Sequence, residues 1–478
     1  MSVCARLLLG IAMAGLAPAA AAAAAAADAA KVEREAAEQN ADRLYDLSID
    51  DAVALAHQRS FRTARANRSL RQNELRYDNA KSQYLPKLTT NVGVNQQARG
   101  LTAHGDAYAY QVSSLGQFQT TASADLSMPL DVSGVIRRQV RQADIWRDIS
   151  AADVTNATLD VTLEVQNSYL NALRAQNTAD ADERVAEEIQ KLLSRAGPAS
   201  ALASFLQVEL ANAQQTAQSS RENADNAQDG LKQILRVPPE VRLRLTSDFR
   251  GRKQPVERNG LLERALSRRP DVQSAELRVK QAQTSVAQVS DSRKPTVRVG
   301  AFASQQLAGG AVYDGRYDRL LQEGGLVAVS VPFVQWDNGL LRRNKAVALI
   351  QREQADADLE ELRERVAYDV RQQLLAVSRA ENRIRNLPDP RKALDALQRA
   401  EQMLLSAPPE TAQGLVAQVS NARQAWRSAE TATADAYIDY NNAVFRLKRL
   451  VGDANTVSTT TTTASEIPVQ RVGSTFGL

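Results

Sequence analysis

Gln117-Phe118-Gln119-Thr120-Thr121-Ala122-Ser123-Ala124-Asp125-Leu126-Ser127-Met128-Pro129-Leu130 alternates residue by residue. Phe118, Thr120, Ala122, Ala124, Leu126, Met128 and Leu130 fall on one side, and Gln117, Gln119, Thr121, Ser123, Asp125 and Ser127 on the other. Successive side chains of a strand point to opposite faces, so this stretch is a strand with one greasy and one wet face. Two further stretches share the pattern. In residues 86–95, Leu88, Thr90, Val92 and Val94 oppose Lys87, Thr89, Asn91 and Asn95. In residues 295–305, Val297, Val299, Ala301 and Ala303 oppose Thr296, Arg298, Gly300 and Ser304, with Phe302 interrupting the polar side. A fourth candidate, residues 326–333, is less polar. Segments of about ten residues with one apolar and one polar face suit a transmembrane β-barrel. Taken alone, they suit the edge of a soluble sandwich with one wet face better; the secretory signal and the long flanking helices reverse that preference.

The strands occur in two copies. A shift of 209 positions carries Leu85-Pro86-Lys87-Leu88 onto Lys294-Pro295-Thr296-Val297, and a shift of 203 carries Leu126-Ser127-Met128-Pro129-Leu130 onto Val329-Ser330-Val331-Pro332-Phe333. Each copy of the second motif is followed by a glycine (Gly134, Gly339) and an arginine pair (Arg137-Arg138, Arg342-Arg343). Near the end of each half, Leu231-Lys232 answers to Leu447-Lys448. A period of about 200 residues marks a duplication, since solenoid units are about 20 to 50. The fold class expected is mainly α with a small β part: a repeated helix, strand, strand, long helix and hairpin. The segments are a signal peptide over 1–27, a lead-in over 28–46, a first repeat over 47–240, a second over 255–452, and a disordered tail over 453–478 that contains a run of five threonines, Thr459 to Thr463. Prolines Pro86, Pro129, Pro295 and Pro332 stand where strand patterns meet helix patterns; proline fixes φ and removes a donor, which suits a boundary.

Between Val135 and Ala196 there is neither proline nor glycine, and Val154, Ala157, Val161, Val165 and Ala172 fall at helical spacing. Leu359, Leu362, Val366, Val370, Leu374 and Val377 do the same in the second half. A helix of about 60 residues is roughly 90 Å long. Its thin apolar stripe predicts packing as a supercoil; a rod-like coiled coil fits the stripe equally.

Composition removes most chemistries. The 478 residues hold 59 Lys+Arg, 55 Asp+Glu, two histidines and one cysteine, with a net charge of +4. His57, His104 and Cys4 are the whole supply of soft ligands and thiols, which leaves no set for a metal site, and no cofactor is expected. The near-balanced charge gives no nucleic-acid footprint. Acids scattered along helices do not form the paired carboxylates of a glycosidase. Residues 1–27 show one early charge (Arg6), an apolar run and alanines suited to cleavage, the pattern of a secretory signal that would carry Cys4 away. An exported chain with no helix apolar enough to span a bilayer crosses one only as a barrel. Four strands cannot close a barrel, and unpaired edges in lipid cost several kcal/mol per backbone group. Copies of the same chain must therefore pair them, and a wet interior favours three copies over two.

These features together resemble the TolC-like outer-membrane efflux proteins, the outer membrane factors. The stretches that carry the resemblance run in order: Leu47-Ser48-Ile49-Asp50-Asp51-Ala52-Val53-Ala54-Leu55-Ala56, Tyr84-Leu85-Pro86-Lys87-Leu88, Leu126 to Leu130 with Gly134 and its arginines, Glu164-Val165-Gln166-Asn167-Ser168-Tyr169-Leu170, and Arg268-Arg269-Pro270-Asp271-Val272 with Ala275-Glu276. The resemblance implies a homotrimer in the Gram-negative outer membrane, with a twelve-stranded barrel continued by a periplasmic twelve-helix tunnel. Such a trimer is a passive exit duct, working with an inner-membrane pump and a periplasmic adaptor, for efflux or type I secretion. It also implies an adaptor-docking tip at Arg195, Gly197, Pro198, Ala199 and Ser200, and a second tip from Ser406 to Gly414 and Leu415 whose double proline departs from the pattern. Where some family members carry a ring of aspartates at the tunnel mouth, Gln418 and Asn421 stand here, so a cation-blocking carboxylate ring is missing. Read as residues alone, both are equally ordinary surface amides. Tyr84 and Trp336 are candidates for an aromatic belt at the inner interface and equally for ordinary helix-end packing. Residues 97–116 and 307–324 are the expected outward loops; they hold His104, with Tyr108, Tyr110 and Tyr313 as candidate rim or receptor contacts. The competing reading is a soluble periplasmic coiled-coil adaptor with a small β domain.

Overall fold

A computed structural model describes residues 44–96, 102–103, 110–111, 118–196, 201–247, 249, 253–254, 256–291, 294–309, 317–331, 338–407 and 409–453. The signal peptide, most of the lead-in and nearly all of the tail lie outside them. In chain order the elements are β1 (Leu44–Leu47), α1 (Ile49–Arg59), α2 (Phe61–Ser82), β2 (Lys87–Gln96), β3 (Thr102–Ala103), β4 (Tyr110–Gln111), β5 (Phe118–Leu130), α3 (Val135–Ala196) and α4 (Ala201–Leu235). The second half runs β6 (Arg242–Leu245), α5 (Leu261–Arg268), α6 (Pro270–Asp291), β7 (Thr296–Gly309), β8 (Tyr317–Ser330), α7 (Leu340–Arg385), α8 (Pro390–Ser406) and α9 (Pro409–Val451). Short helix, long helix, strand, strand, long helix and hairpin helix recur in the same order, which is the duplication read from the sequence.

Two compact units result, and each draws on both halves. The first contains residues 1–65, 156–269 and 365–478, the second 66–155 and 270–364.

The second unit holds one antiparallel four-stranded sheet in the order β2-β5-β7-β8, so the two repeats meet at the β5–β7 pairing. Two strands are longer than the sequence suggested. β7 continues to Gly309 and β8 begins at Tyr317, so much of the segment expected as a loop over 307–324 is paired strand. The glycines and charges of this stretch read as a turn, but the ladder between β7 and β8 satisfies its backbone groups, and pairing overrides local propensity. Inside the other expected loop, β3 and β4 form a two-residue ladder.

In the first unit, β1 and β6 pair in parallel, an element the sequence reading missed because each strand is four residues long. They seat the main core: Leu47, Leu55, Val165, Tyr169, Leu170, Leu231, Leu235 and Ile438 are almost wholly buried. Tyr169 ties it together, its hydroxyl donating to the Leu47 carbonyl at 2.9 Å and accepting from the Ser247 N–H at 3.0 Å. Burial pushes the Tyr169 phenol above its ordinary pKa. α1 starts on a Ser48 side-chain cap with Asp50 and Asp51 in its first turn, where carboxylates favour the positive helix end.

α3 is unbroken over 62 residues, as expected. Its counterpart is interrupted: α7 stops at Arg385 and α8 restarts at Pro390 behind an Asp389 cap. Pro388 and Pro390 enforce this break, since proline is accepted at a helix's first position but not in its interior. On α7, Leu359, Val366, Val370 and Val377 are buried, the stripe anticipated from their spacing.

Candidate functional site: the two-faced sheet and the hairpin end

The sheet register aligns the alternation of all four strands. Leu88 faces Leu126, Leu126 faces Ala301, and Ala301 faces Gly325; two same-face steps along, Leu130 faces Val297, which faces Val329. Directly opposed residues share a face. One face therefore collects Leu88, Val92 and Val94 from β2, Ala122, Leu126 and Leu130 from β5, Val297 and Val299 from β7, and Val327 and Val329 from β8. Among the described residues nothing covers it: Val92 is 79% exposed, Val327 71% and Leu88 68%. A folded soluble monomer rarely leaves a contiguous patch of this kind open. From Leu130 to Ala122 the band is about 27 Å long at about 3.4 Å per residue, and an apolar belt of about 25 Å is what a membrane barrel presents. Glu323 is the charged exception inside it, opposite Ala303 toward the band's far margin, where a charge costs least.

The opposite face carries Lys87, Thr89, Asn91, Ser123, Asp125, Ser127, Arg298, Ser304 and Gln322. Leu326, opposite Gly300, and Phe302 are large apolar residues that interrupt this face, and Phe302 has a local cause. It sits opposite Gly324, and a Cβ at 324 would come within 3.3–3.4 Å of its ring, so the aromatic ring covers the bare glycine backbone. Gly300 is a second close approach, since a Cβ there would lie 2.7 Å from the Leu126 carbonyl oxygen. The outer edges of β2 and β8 have no partner strand among the described residues.

At the strand–helix junctions, Pro86 and Pro295 immediately precede β2 and β7, whereas Pro129 lies within β5, opposite Arg298. Pro332 and Trp336 fall outside the described residues. Asp131 organises the first junction: its carboxylate accepts from the Ile136 and Arg137 N–H groups at 3.1 and 3.0 Å, and the Tyr84 hydroxyl reaches it at 3.4 Å. The elbow into each long helix is a glycine at φ +75°, Gly134 in one repeat and Gly339 in the other. That left-handed backbone, which glycine adopts without a Cβ penalty, explains the glycine shared by the two motifs.

The hairpin end belongs to the first unit. Arg195 is in the last turn of α3, while Gly197, Pro198, Ala199 and Ser200 lie outside the described residues. Gly414 and Leu415 lie inside α9, beyond the connection, and Leu415 packs on a core of Leu192, Leu206, Leu397, Leu404, Val419 and Trp426. Gln418 and Asn421 are exposed on α9, while Val419 and Arg423 turn inward.

The sequence reading missed the ionic ladder behind this helix, because its partners are far apart in the chain. Arg423, 3% exposed, donates to Glu209 at 2.7 Å and to Glu401 at 3.4 Å. Arg427 is paired with Asp182, which also accepts from Ser220 at 2.6 Å. Arg184 pairs with Glu430, and Arg174 with Asp435 and Asp439. Burial pushes Glu401 above the usual carboxylate range despite Arg423 beside it, and Asp435 likewise despite Arg174. Asp182, Glu209, Arg423 and Arg427 border a cavity of about 380 Å³. His57 is half-buried against the Thr162 hydroxyl at 2.8 Å, and burial lowers its pKa. Among the described residues no group of acids, histidines or cysteines is placed to hold a metal, and no helix is long and apolar enough to cross a membrane.

Residues 261–453 match the outer membrane efflux protein family. No curated protein matches the chain significantly. Among solved structures, the CmeC outer membrane channel of Campylobacter jejuni is 16% identical, with 87% of each chain covered and a TM-score of 0.63. The open state of the MtrE outer membrane channel of Neisseria gonorrhoeae is 17% identical over 84% of this chain and 88% of that one, with a TM-score of 0.67. The outer membrane protein VceC of Vibrio cholerae is 16% identical over 84% and 96%, with a TM-score of 0.61. At such identities what is shared is the fold.

Proposed function

Because residues 261–453 match the outer membrane efflux protein family and the chain has the fold of TolC-like channels, we propose that it is the outer-membrane exit duct of a tripartite efflux system. The observation that carries this reading is the uncovered apolar face of the sheet, backed by a polar face on alternate residues. Lipid is the solvent for the first face and water for the second. The chain carries out no catalysis; it supplies a path.

Three copies give twelve strands, joining the open edge of β2 in one copy to that of β8 in the next, which satisfies every backbone group that lipid would leave bare. The outer membrane would hold the sheet, and the long helices would form the periplasmic tunnel. An inner-membrane pump would supply the energy, joined through a periplasmic adaptor that docks at the hairpin ends around Arg195, Gly197–Ser200, Gly414 and Leu415. Gln418 and Asn421, exposed on α9, would narrow the tunnel mouth with amides in place of carboxylates. Such a ring constricts by size and hydrogen bonding and holds divalent cations weakly.

Membrane fractionation followed by native mass spectrometry in detergent tests the reading. A heat-sensitive trimer in the outer-membrane fraction is expected. A monomer in the periplasmic extract would favour the soluble adaptor, a reading the 79% exposure of Val92 already argues against.

A further inference from the structure

The wet face of the sheet carries its charges unevenly. Its described charged side chains are Lys87, Asp125 and Arg298. The register orders them by height. Arg298 is level with Pro129 and Ala328; Lys87 is level with Ser127 and Gly300, one wet-face step farther from the β7 start; Asp125 is level with Thr89 and Phe302, one step beyond that. Lys87 and Arg298 are both exposed, and neither has an ion-pair partner among the described residues. Asp318 has the same parity on β8 but stands ten positions beyond Ala328, about 33 Å away along the strand at about 3.3 Å per residue. The end of the barrel wall next to the helices thus carries two cations and one anion per copy, within two steps of one another.

We propose that Lys87 and Arg298 form a cationic belt at the helix-side end of the barrel lumen, which makes this duct favour anions over cations of similar size. This rests on the trimeric-barrel reading, which multiplies the two cations to six around one ring. Twelve strands spaced about 4.8 Å apart and tilted about 40° enclose a wall about 12 Å in radius. The Debye length is about 10 Å at 0.1 M salt, so the belt's field reaches the axis there, whereas at 1 M it falls to about 3 Å and the field stays at the wall. A ring of basic side chains is a recognised basis for anion preference, as an acidic ring is for cations. Asp125 opposes the belt from one step away, and the amides Gln418 and Asn421 add no negative ring to offset it. A lumen potential of about one kT per unit charge gives an anion-to-cation ratio of roughly sevenfold.

The experiment is the reversal potential of the purified full-length channel in planar bilayers, under a potassium chloride gradient centred near 0.1 M. Chloride should permeate several-fold better than potassium, with the preference shrinking toward unity near 1 M. Lys87→Gln with Arg298→Gln should remove the preference, Arg298→Lys should keep it, and Asp125→Asn should increase it. A wild-type channel that prefers potassium, or a double variant with an unchanged reversal potential, overturns the belt and leaves the duct standing. Trimers that conduct nothing under any condition take down the duct reading and the belt with it.

Discussion

Replacing Arg423 with methionine removes the one cation that two acids share in the interior of the hairpin end. The arginine side chain is 4% exposed, Glu401 7% and Glu209 19%. Losing the 2.7 Å bond to Glu209 forfeits a charge-assisted contact of about 1.5–3 kcal/mol. Glu401 fares worse, because burial already raises its pKa with Arg423 present. Without the guanidinium it must stay charged in a dry site or take up a proton. Protonating a carboxyl whose ordinary pKa is about 4.5 costs at most about 3.4 kcal/mol at pH 7, at about 1.36 kcal/mol per unit. The expected loss is about 3–5 kcal/mol, the range for breaking a buried pair from one side. The sign with pH follows from linkage. A carboxyl whose folded pKa lies above its unfolded value binds more protons when folded, so its penalty is absent below the unfolded pKa and grows as pH rises. At pH 5 the ceiling on protonating Glu401 is only about 0.7 kcal/mol, so the variant's deficit should shrink by about 2–3 kcal/mol between pH 8 and pH 5. Urea unfolding of the detergent-solubilised protein, followed through the fluorescence of buried Trp426, reads both numbers. Glu401→Gln, which leaves the Arg423–Glu209 bond in place, should cost less than about 1 kcal/mol. A loss below about 1 kcal/mol for Arg423→Met, or an equal loss at both pH values, refutes the reasoning.

Three other perturbations separate the parts of the fold. Tyr169→Phe should cost about 1–2 kcal/mol in the same urea assay, because the Leu47 carbonyl keeps its bond from the Thr246 N–H and only the Ser247 N–H is orphaned. Gly134→Ala should destabilise by about 1–2 kcal/mol through its left-handed φ, since the added Cβ would meet only Arg138 Nη2 at 3.9 Å, an ordinary contact; Gly230→Ala, inside α4 with nothing within 4 Å, should stabilise by about 0.5–1 kcal/mol, and thermal midpoints give both signs. Val92→Arg should weaken folding into bilayers by about 2–4 kcal/mol while Asn91→Arg, one residue away on the wet face, is tolerated, as heat-modifiable band shifts after reconstitution would report.

Much of the sheet was legible because one apolar and one polar face impose a period of two on residues such as Leu88, Val92 and Leu126, and a duplicated chain shows the pattern twice. The Gly134 and Gly339 elbows were legible for the same reason, since one backbone requirement was met at two matched places. β1 and β6 were not, because four-residue strands carry too few alternations to stand out and their pairing spans almost 200 residues of chain. The extended ends of β7 and β8 were hidden by glycines and charges that only the neighbouring strand's hydrogen bonds make tolerable in a ladder. Phe302 broke the alternation on paper, and its reason, the bare backbone of Gly324, became visible only with the register in hand. The Arg423, Arg427, Arg184 and Arg174 ladder was invisible in kind: each acid reads as one more solvated helix residue until folding brings a distant arginine against it.

The central claim is that the two faces of one sheet meet two different solvents. Cys4 is the only native cysteine, so single cysteines can be placed one at a time from Lys87 to Val94 in a Cys4→Ser background and spin-labelled in reconstituted trimers. Labels at 88, 90, 92 and 94 should collide with oxygen dissolved in the acyl chains and be shielded from a water-soluble nickel complex, and labels at 87, 89, 91 and 93 should show the reverse. Equal accessibility at adjacent positions, or oxygen contact confined to the Lys87 side, would contradict the account.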